Sequence, residues 1–446
     1  MRPAFDPARF AANRARVLAL LQPGEAVLIF GGSTVHRNAD SEHRYRPHSD
    51  VHYLSGWPDP DVVVLLRAGS DKPFVLFVQP RDPEREVWDG LRPGPEGAVS
   101  TFGADEAFPI EELSKRLPEL LVGVSAIHYR FGEDAAQDRQ LRVAMSGARG
   151  KARREGFQDT PHTIIDPDRL LHEARLVKSP AEIALLERAA EITRQAHANA
   201  MAMTRAGVHE YELEAEIDRT FRRLGGDGPG YTSIIGGGAN ATILHYHANN
   251  QPLRDGDLVC VDAGGEYGYY TADVTRTWPV NGRFSAAQAE IYSLVLEVQK
   301  DCVAASRAGT TWKDLSDRAI RALTVGMVRL GLLTGEVDAL IAEKEYKRYY
   351  MHGLGHWLGM DVHDVGGYVL GGQSRALAPG NVITIEPGLY IPAGDERAPE
   401  RFRGIGVRIE DDVLITEGDP IVLTAGIPKE LDEVEAAVLS RAEAAA

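Results

Sequence analysis

The chain has 446 residues, 43% of them hydrophobic, and 49 Lys and Arg stand against 65 Asp and Glu, a formal net charge of −16. That length allows a large core and more than one domain, while so acidic a surface repels nucleic acid and anionic membrane, so neither is expected as a partner. With no run of ~18 apolar residues to span a membrane, no continuous apolar stretch within residues 1–21 and only two cysteines, a cytoplasmic protein without a disulfide framework is expected.

In chain order, short apolar runs at 26–30, 62–66 and 74–78 predict buried strands. Helical patterns follow at about 108–120 and 133–150, with a strand-like run at 126–131 between them, which together predict an α/β unit ending near residue 155. Residues 156–171 contain Pro161 and Pro167 and no helical period, and read as the connection to a second unit. The next helix begins sharply: Ser179 is a good N-cap, Pro180 suits the first helical position and Glu182 completes a capping box. A further helix sets Leu213, Ile217, Phe221 and Leu224 on one face and stops at Gly225. Strand-rich regions at 231–247 and 257–280 come next, then helices at about 285–307 and 312–331, and last a glycine- and strand-rich stretch from 352 to 423. Helices segregated from antiparallel strands predict an α+β unit. The alanine-rich C-terminal tail is expected to fray.

Residues 352–366 hold three histidines, His352, His356 and His363, among glycines 353, 355, 359 and 366. Histidines four apart would share a helix face, but so many glycines make a helix costly. The stretch therefore reads as a loop or strand edge where imidazoles converge on a ligand. Asp262 ends the apolar run Leu-Val-Cys-Val-Asp, and Asp273 lies in the next strand-like segment, beyond Gly264, Gly265 and Gly268. A hairpin would set these two carboxylates across from one another. Glu386, in Val-Ile-Thr-Ile-Glu, and Glu410, in Gly-Val-Arg-Ile-Glu, close two further apolar runs. One acid at a strand end is ordinarily a turn cap, but three are not explained that way, because a buried unpaired charge is expensive. Cys260, two positions before Asp262, reads as a small buried hydrophobe.

Four carboxylates brought together raise one another's pKa unless cations neutralise them. Two divalent ions balance the charge, and an oxygen-rich set with one imidazole suits Mn²⁺ better than a structural zinc site, with Co²⁺ or Zn²⁺ as other candidates. Bridging carboxylates hold such ions about 3.5 Å apart, so metal-assisted hydrolysis is predicted.

The settings are Val-Asp-Ala-Gly for Asp262, Ala-Asp-Val-Thr-Arg-Thr for Asp273 and His-Gly-Leu-Gly-His for His356, with Ile-Glu-Pro-Gly for Glu386 and Arg-Ile-Glu-Asp-Asp for Glu410. In that order they resemble the five metal ligands of the pita-bread metallopeptidases. Within that family the chain is most similar to the aminopeptidase P branch, through residues 41–56, Glu86-Val-Trp-Asp-Gly-Leu-Arg92 and residues 173–179, so the match covers nearly the whole chain. The resemblance implies an α/β N-terminal domain at 1–172 and an α+β pita-bread (creatinase/aminopeptidase-like) catalytic domain at 173–446. It implies an Xaa-Pro aminopeptidase, in which a hydroxide bridging two divalent metals attacks the carbonyl before a penultimate proline.

Further roles follow from the same resemblance. His245 and His363 would contact the scissile carbonyl and help move protons, and Glu386 would be both ligand and proton shuttle. His352 would line the proline pocket, Arg408 would orient Glu410, and Arg375 would stand near the downstream end of the substrate. Trp88 would reach over the active site of a neighbouring subunit in a homo-oligomer, a tetramer or dimer. The partners implied are peptides with proline at position two. Gly355, just before His356, is a form shared with proline dipeptidases, which use the same dinuclear site and are the rival reading. A metal-free hydrolase or a metal-free binding protein on this fold would have no need of all five ligands.

Overall fold

The computed structural model describes residues 5–156 and 159–440; the alanine-rich tail lies outside the described residues. The chain divides between Ala174 and Arg175 into two units.

The N-terminal unit is built on a six-stranded sheet in the spatial order Glu106–Pro109, Phe74–Val78, Val63–Arg67, Glu25–Phe30, Ala126–His128 and Thr163–Ile165. The inner strands Phe74–Val78, Val63–Arg67 and Glu25–Phe30 are rich in Val, Leu, Ile and Phe, and nearly all of their side chains are buried. Leu28, Leu65, Phe77, Leu117, Ile127 and Leu141 meet in one core between the sheet and the helices Leu113–Leu120 and Ala135–Glu155. Two expectations are corrected here. The helix expected from 108 begins only at Leu113, because residues 106–109 join the sheet as an edge strand and a 3₁₀ turn, Ile110–Glu112, intervenes. The stretch 156–171 is more than a connection: Thr163–Ile165 pairs in parallel with Ala126–His128. It is an edge strand with mostly exposed side chains, so it carries no long apolar run to betray it.

In the C-terminal unit the capping box of Ser179 and Glu182 opens the helix Pro180–Met203. The helix Glu210–Arg223 buries Leu213, Ile217 and Phe221. These helices, with Ala286–Ala305 and Trp312–Arg329, share one core with strand residues Ile235, Val259, Val261, Ile383, Ile385, Val407 and Val413. The strands are antiparallel. Ile234–Gly237, Leu258–Asp262 and Thr275–Pro279 form one sheet, Val382–Ile385, Asp411–Leu414 and Ile421–Val422 another, and Gly388–Tyr390 pairs with Gly406–Arg408.

Two further corrections bear on the site. The strand-rich region expected over 231–247 holds one strand, Ile234–Gly237, which gives way to a 3₁₀ turn, Gly238–Thr242, so His245 stands on irregular chain. Asp262 lies opposite Thr275 rather than Asp273. The intervening residues form their own pair of short strands, Gly265–Tyr267 and Tyr270–Thr271, and Asp273 follows them. Gly264 permits this crowding, since a Cβ there would lie 1.7 Å from the Ala272 carbonyl oxygen. Residues 352–366 form no helix, as expected, and touch the strand Val382–Ile385 through a bridge between Trp357 and Ile383. Among the described residues no helix is long and apolar enough to cross a membrane.

Candidate metal centre

Three of the acids close or join strands of different pairs: Asp262 ends Leu258–Asp262, Glu386 follows Val382–Ile385, and Glu410 lies between Gly406–Arg408 and Asp411–Leu414. The antiparallel packing brings their ends together. With Asp273 and His356 they line one cavity of about 300 Å³, shared with His245, His352, His363 and Arg408. Ligand atoms of Asp273, His356 and Glu410 lie within 4.8 Å of one another. His356 Nε2 is 3.3 Å from Asp273 Oδ2 and 3.6 Å from Glu386 Oε1.

Hydrogen bonds from behind hold the acids in place. Asp262 accepts the Tyr231 hydroxyl at 2.6 Å and Arg408 Nη2 at 2.7 Å. Arg408 Nε donates to Thr275 Oγ1 at 2.9 Å, and that hydroxyl donates to Glu410 Oε2 at 2.7 Å. The main-chain N–H of Asp273 donates to the buried Asp412 carboxylate at 3.2 Å. His356 Nδ1 is 3.0 Å from the Trp357 carbonyl oxygen. A carbonyl only accepts, so Nδ1 carries the proton and Nε2 is turned toward the carboxylates as a ligand must be. By the same argument His352 Nδ1 donates to the Gly353 carbonyl at 2.7 Å, and its Nε2 takes the hydroxyl proton of Tyr390 at 2.8 Å. Tyr390 in turn accepts Arg408 Nη1 at 3.0 Å, so the arginine that anchors Asp262 also steadies His352.

The electrostatics call for cations. Burial pushes Glu386 up to about 7, with His356 opposing and Asp273 adding to the rise. Burial and then Asp273 hold Glu410 well above the usual carboxylate range, and burial raises Asp262 against the pull of Arg408. Burial resists protonation of His356, but Asp273 and Glu386 outweigh it and raise the imidazole to about 9. Divalent cations among these groups would relieve the repulsion and hold every carboxyl ionised. Four carboxylates to one imidazole is a donor set that fits oxygen-preferring divalent ions.

His363 is exposed, and its ring centroid lies 4.2 Å from that of His356. His245 is also exposed and stacks on His247 at 6.2 Å. Arg408, expected to orient Glu410, bonds directly to Asp262 and is joined to Glu410 by hydrogen bonds through Thr275. Arg375 is not among the cavity-lining residues; its N–H donates to the Tyr368 carbonyl. Trp88 belongs to the helix Pro83–Asp89 of the N-terminal unit and is 85% exposed. Tyr231, Thr275, Tyr390 and Asp412 were not foreseen. Thr275 and Asp412 each stand two residues beyond an acid of the cavity, Asp273 and Glu410, at the start of the strands Thr275–Pro279 and Asp411–Leu414. Tyr231 and Tyr390 carry no such signal.

Gly355 has its own explanation: a Cβ there would lie 2.0 Å from the Thr384 carbonyl oxygen. The close approach lets Thr384 Oγ1 accept the His356 N–H at 3.0 Å.

Comparison with known proteins places these features in context. The model of metallopeptidase family M24 matches residues 184–417, and that of the aminopeptidase P N-terminal domain matches residues 10–128. The Xaa-Pro aminopeptidase of Escherichia coli K12 is 45% identical over 437 residues, 97% of each chain. The solved structure of Pseudomonas aeruginosa aminopeptidase PepP superimposes with a TM-score of 0.95 at 44% identity, covering 98% of this chain and 99% of that one. A Zn-substituted E. coli aminopeptidase P in complex with product gives 0.94 at 44% identity, again covering 98% and 99%.

Proposed function

The chain belongs to metallopeptidase family M24, and from that membership and its five-ligand cavity we propose the reaction: it is a metal-dependent Xaa-Pro aminopeptidase of the pita-bread fold. It hydrolyses the bond between an N-terminal residue and a penultimate proline. The observation that carries this is the convergence of Asp262, Asp273, His356, Glu386 and Glu410 on one cavity in a chain so similar, end to end, to an Xaa-Pro aminopeptidase. We assign the domains to 1–172 and 173–446, a reading supported by the division at Ala174 and by the two matched spans.

Asp262, Asp273, His356, Glu386 and Glu410 would hold two divalent cations, which when bound supply Lewis acidity and make the attacking water more acidic. The chain's own side chains do the rest. His245 and His363, exposed at the cavity, donate hydrogen bonds to the scissile carbonyl oxygen as negative charge develops on it. Proline's nitrogen is a tertiary amide and leaves only once protonated; Glu386, which lines the same cavity, is assigned to pass that proton on. His352, steadied by Tyr390, forms a wall for the proline ring. Arg408 holds Asp262 and Thr275 in register. Arg375 is assigned to the substrate beyond proline, a reading that rests on sequence resemblance alone.

Mn²⁺ is the proposed ion, supported by the excess of carboxylate over imidazole donors. A cytoplasmic location is proposed, supported by two buried free thiols, Cys260 and Cys302. A homo-oligomer, tetramer or dimer, is proposed with Trp88 completing a neighbour's site, supported by the exposed apolar group of Val87, Trp88 and Leu91. Gly355, a form shared with the dipeptidases, is accounted for by its packing against Thr384 and does not separate the two readings.

Chelator-treated protein assayed on Xaa-Pro and Xaa-Pro-Yaa, before and after Mn²⁺ is added, tests the assignment. The metal-free protein should be inert. Mn²⁺ should restore cleavage of the tripeptide at its first bond, with kcat/KM at least equal to that for the dipeptide. Full activity without metal overturns the metal chemistry, and turnover of dipeptides alone moves the assignment to a proline dipeptidase.

A further inference from the structure

His245 stands between the strands Ile234–Gly237 and Leu258–Asp262, on irregular chain that follows the 3₁₀ turn Gly238–Thr242. Among the described residues its ring makes no hydrogen bond and stacks on His247, which is exposed as well. Such an imidazole can serve a transition state only if the backbone beneath it is held, because a group on a loose segment is spread over many positions.

Buried Asn249 ties the far part of the segment to Ile235 and Ser233, and a second hold comes from the fully buried Glu210, first residue of the helix Glu210–Arg223. Its Oε1 accepts the Gly237 N–H at 2.8 Å and Asn240 Nδ2 at 3.0 Å. Its Oε2 accepts the Tyr246 hydroxyl at 3.0 Å and the Gln251 N–H at 2.9 Å. One carboxylate thus gathers both ends of the segment 237–251 and the residue next to His245. The helix does not need Glu210 as its cap, since Glu212 already accepts the His209 N–H at 2.7 Å.

We propose that Glu210 is a positioning residue for catalysis, fixing His245 over the cavity through Tyr246 and through the two ends of the segment that carries it. This rests on the reading of His245 as a contact to the scissile carbonyl. Only a carboxylate satisfies all four donors. Glutamine has one acceptor oxygen and would turn an NH₂ toward the hydroxyl of Tyr246 and the N–H of Gln251, leaving that N–H without an acceptor.

The test uses the metal-loaded enzyme on an Xaa-Pro-Yaa tripeptide, with Glu210→Gln, Tyr246→Phe and His245→Ala made singly, and the first two also combined with His245→Ala. Glu210→Gln should lower kcat about tenfold and Tyr246→Phe less, with KM within about twofold and metal content unchanged. Neither should lower kcat further once His245 is alanine, because its effect has lost its route. Equal losses in both backgrounds, or loss of metal, overturn the proposal while leaving His245 in its role. An unchanged kcat in His245→Ala alone overturns the reading of His245 on which the proposal stands. Should Glu210→Gln fail to fold, Tyr246→Phe, which removes one hydroxyl, decides by the same criterion.

Discussion

Arg408 Nη2 donates to Asp262 Oδ2 at 2.7 Å, and both side chains are buried. Removing one member of a buried ion pair strands the other, at about 3–5 kcal/mol. A divalent cation held by Asp262 would neutralise much of that stranded charge. Arg408→Met should therefore destabilise the metal-depleted protein by about 3 kcal/mol and the metal-loaded protein by clearly less. Thermal unfolding with and without chelator reads the difference; equal losses would show that Arg408 does not balance Asp262.

The pH dependence of the metal-depleted protein follows from Glu386, whose pKa burial raises from 4.5 to about 7. The folded chain binds this proton more tightly than the unfolded one, so the contribution is complete below about 4.5 and is lost as pH rises through about 7. It amounts to about 3 kcal/mol at most. His356, raised from 6.5 to about 9, adds the same sign at higher pH. Tm of metal-depleted protein should fall as pH climbs through this window, while metal affinity rises because the ions displace protons. A Tm that climbs with pH in the chelated protein would count against this assignment of protons.

His363 is exposed and lies against His356 without being one of the proposed ligands. His363→Ala should lower kcat roughly 100-fold with metal content unchanged, as expected for a group acting on the transition state. If elemental analysis found an ion missing, His363 would be a ligand and His356 would need reassignment.

Trp88 is 85% exposed within its own chain, so Trp88→Ala should leave the intrinsic stability within about 0.5 kcal/mol. Light scattering is expected to show a dimer or tetramer, and the variant is expected to lose kcat/KM on tripeptides without a matching change in Tm. A fully active monomer at assay concentration would exclude a site completed by a neighbour.

The acids of the centre were legible in the amino-acid sequence because a carboxylate closing an apolar strand violates the local pattern, and Asp262, Glu386 and Glu410 each do so. The helix opened by Ser179 was legible for a similar reason, since its cap is written in adjacent residues. Local pattern could not show what holds each acid. Tyr231 meets Asp262 across 31 residues, Arg408 meets it across 146, and Asp412 meets the N–H of Asp273 across 139. Register was equally out of reach: Asp262 faces Thr275 because an extra pair of short strands takes up the chain before Asp273. The edge strand Thr163–Ile165, largely exposed, offered only Ile164 and Ile165, too short an apolar run to announce a strand. An apolar run or a cap declares itself within a few residues because burial and capping act on neighbours. A buried carboxylate must find whichever donor packing brings within about 3 Å, and only the folded chain selects it.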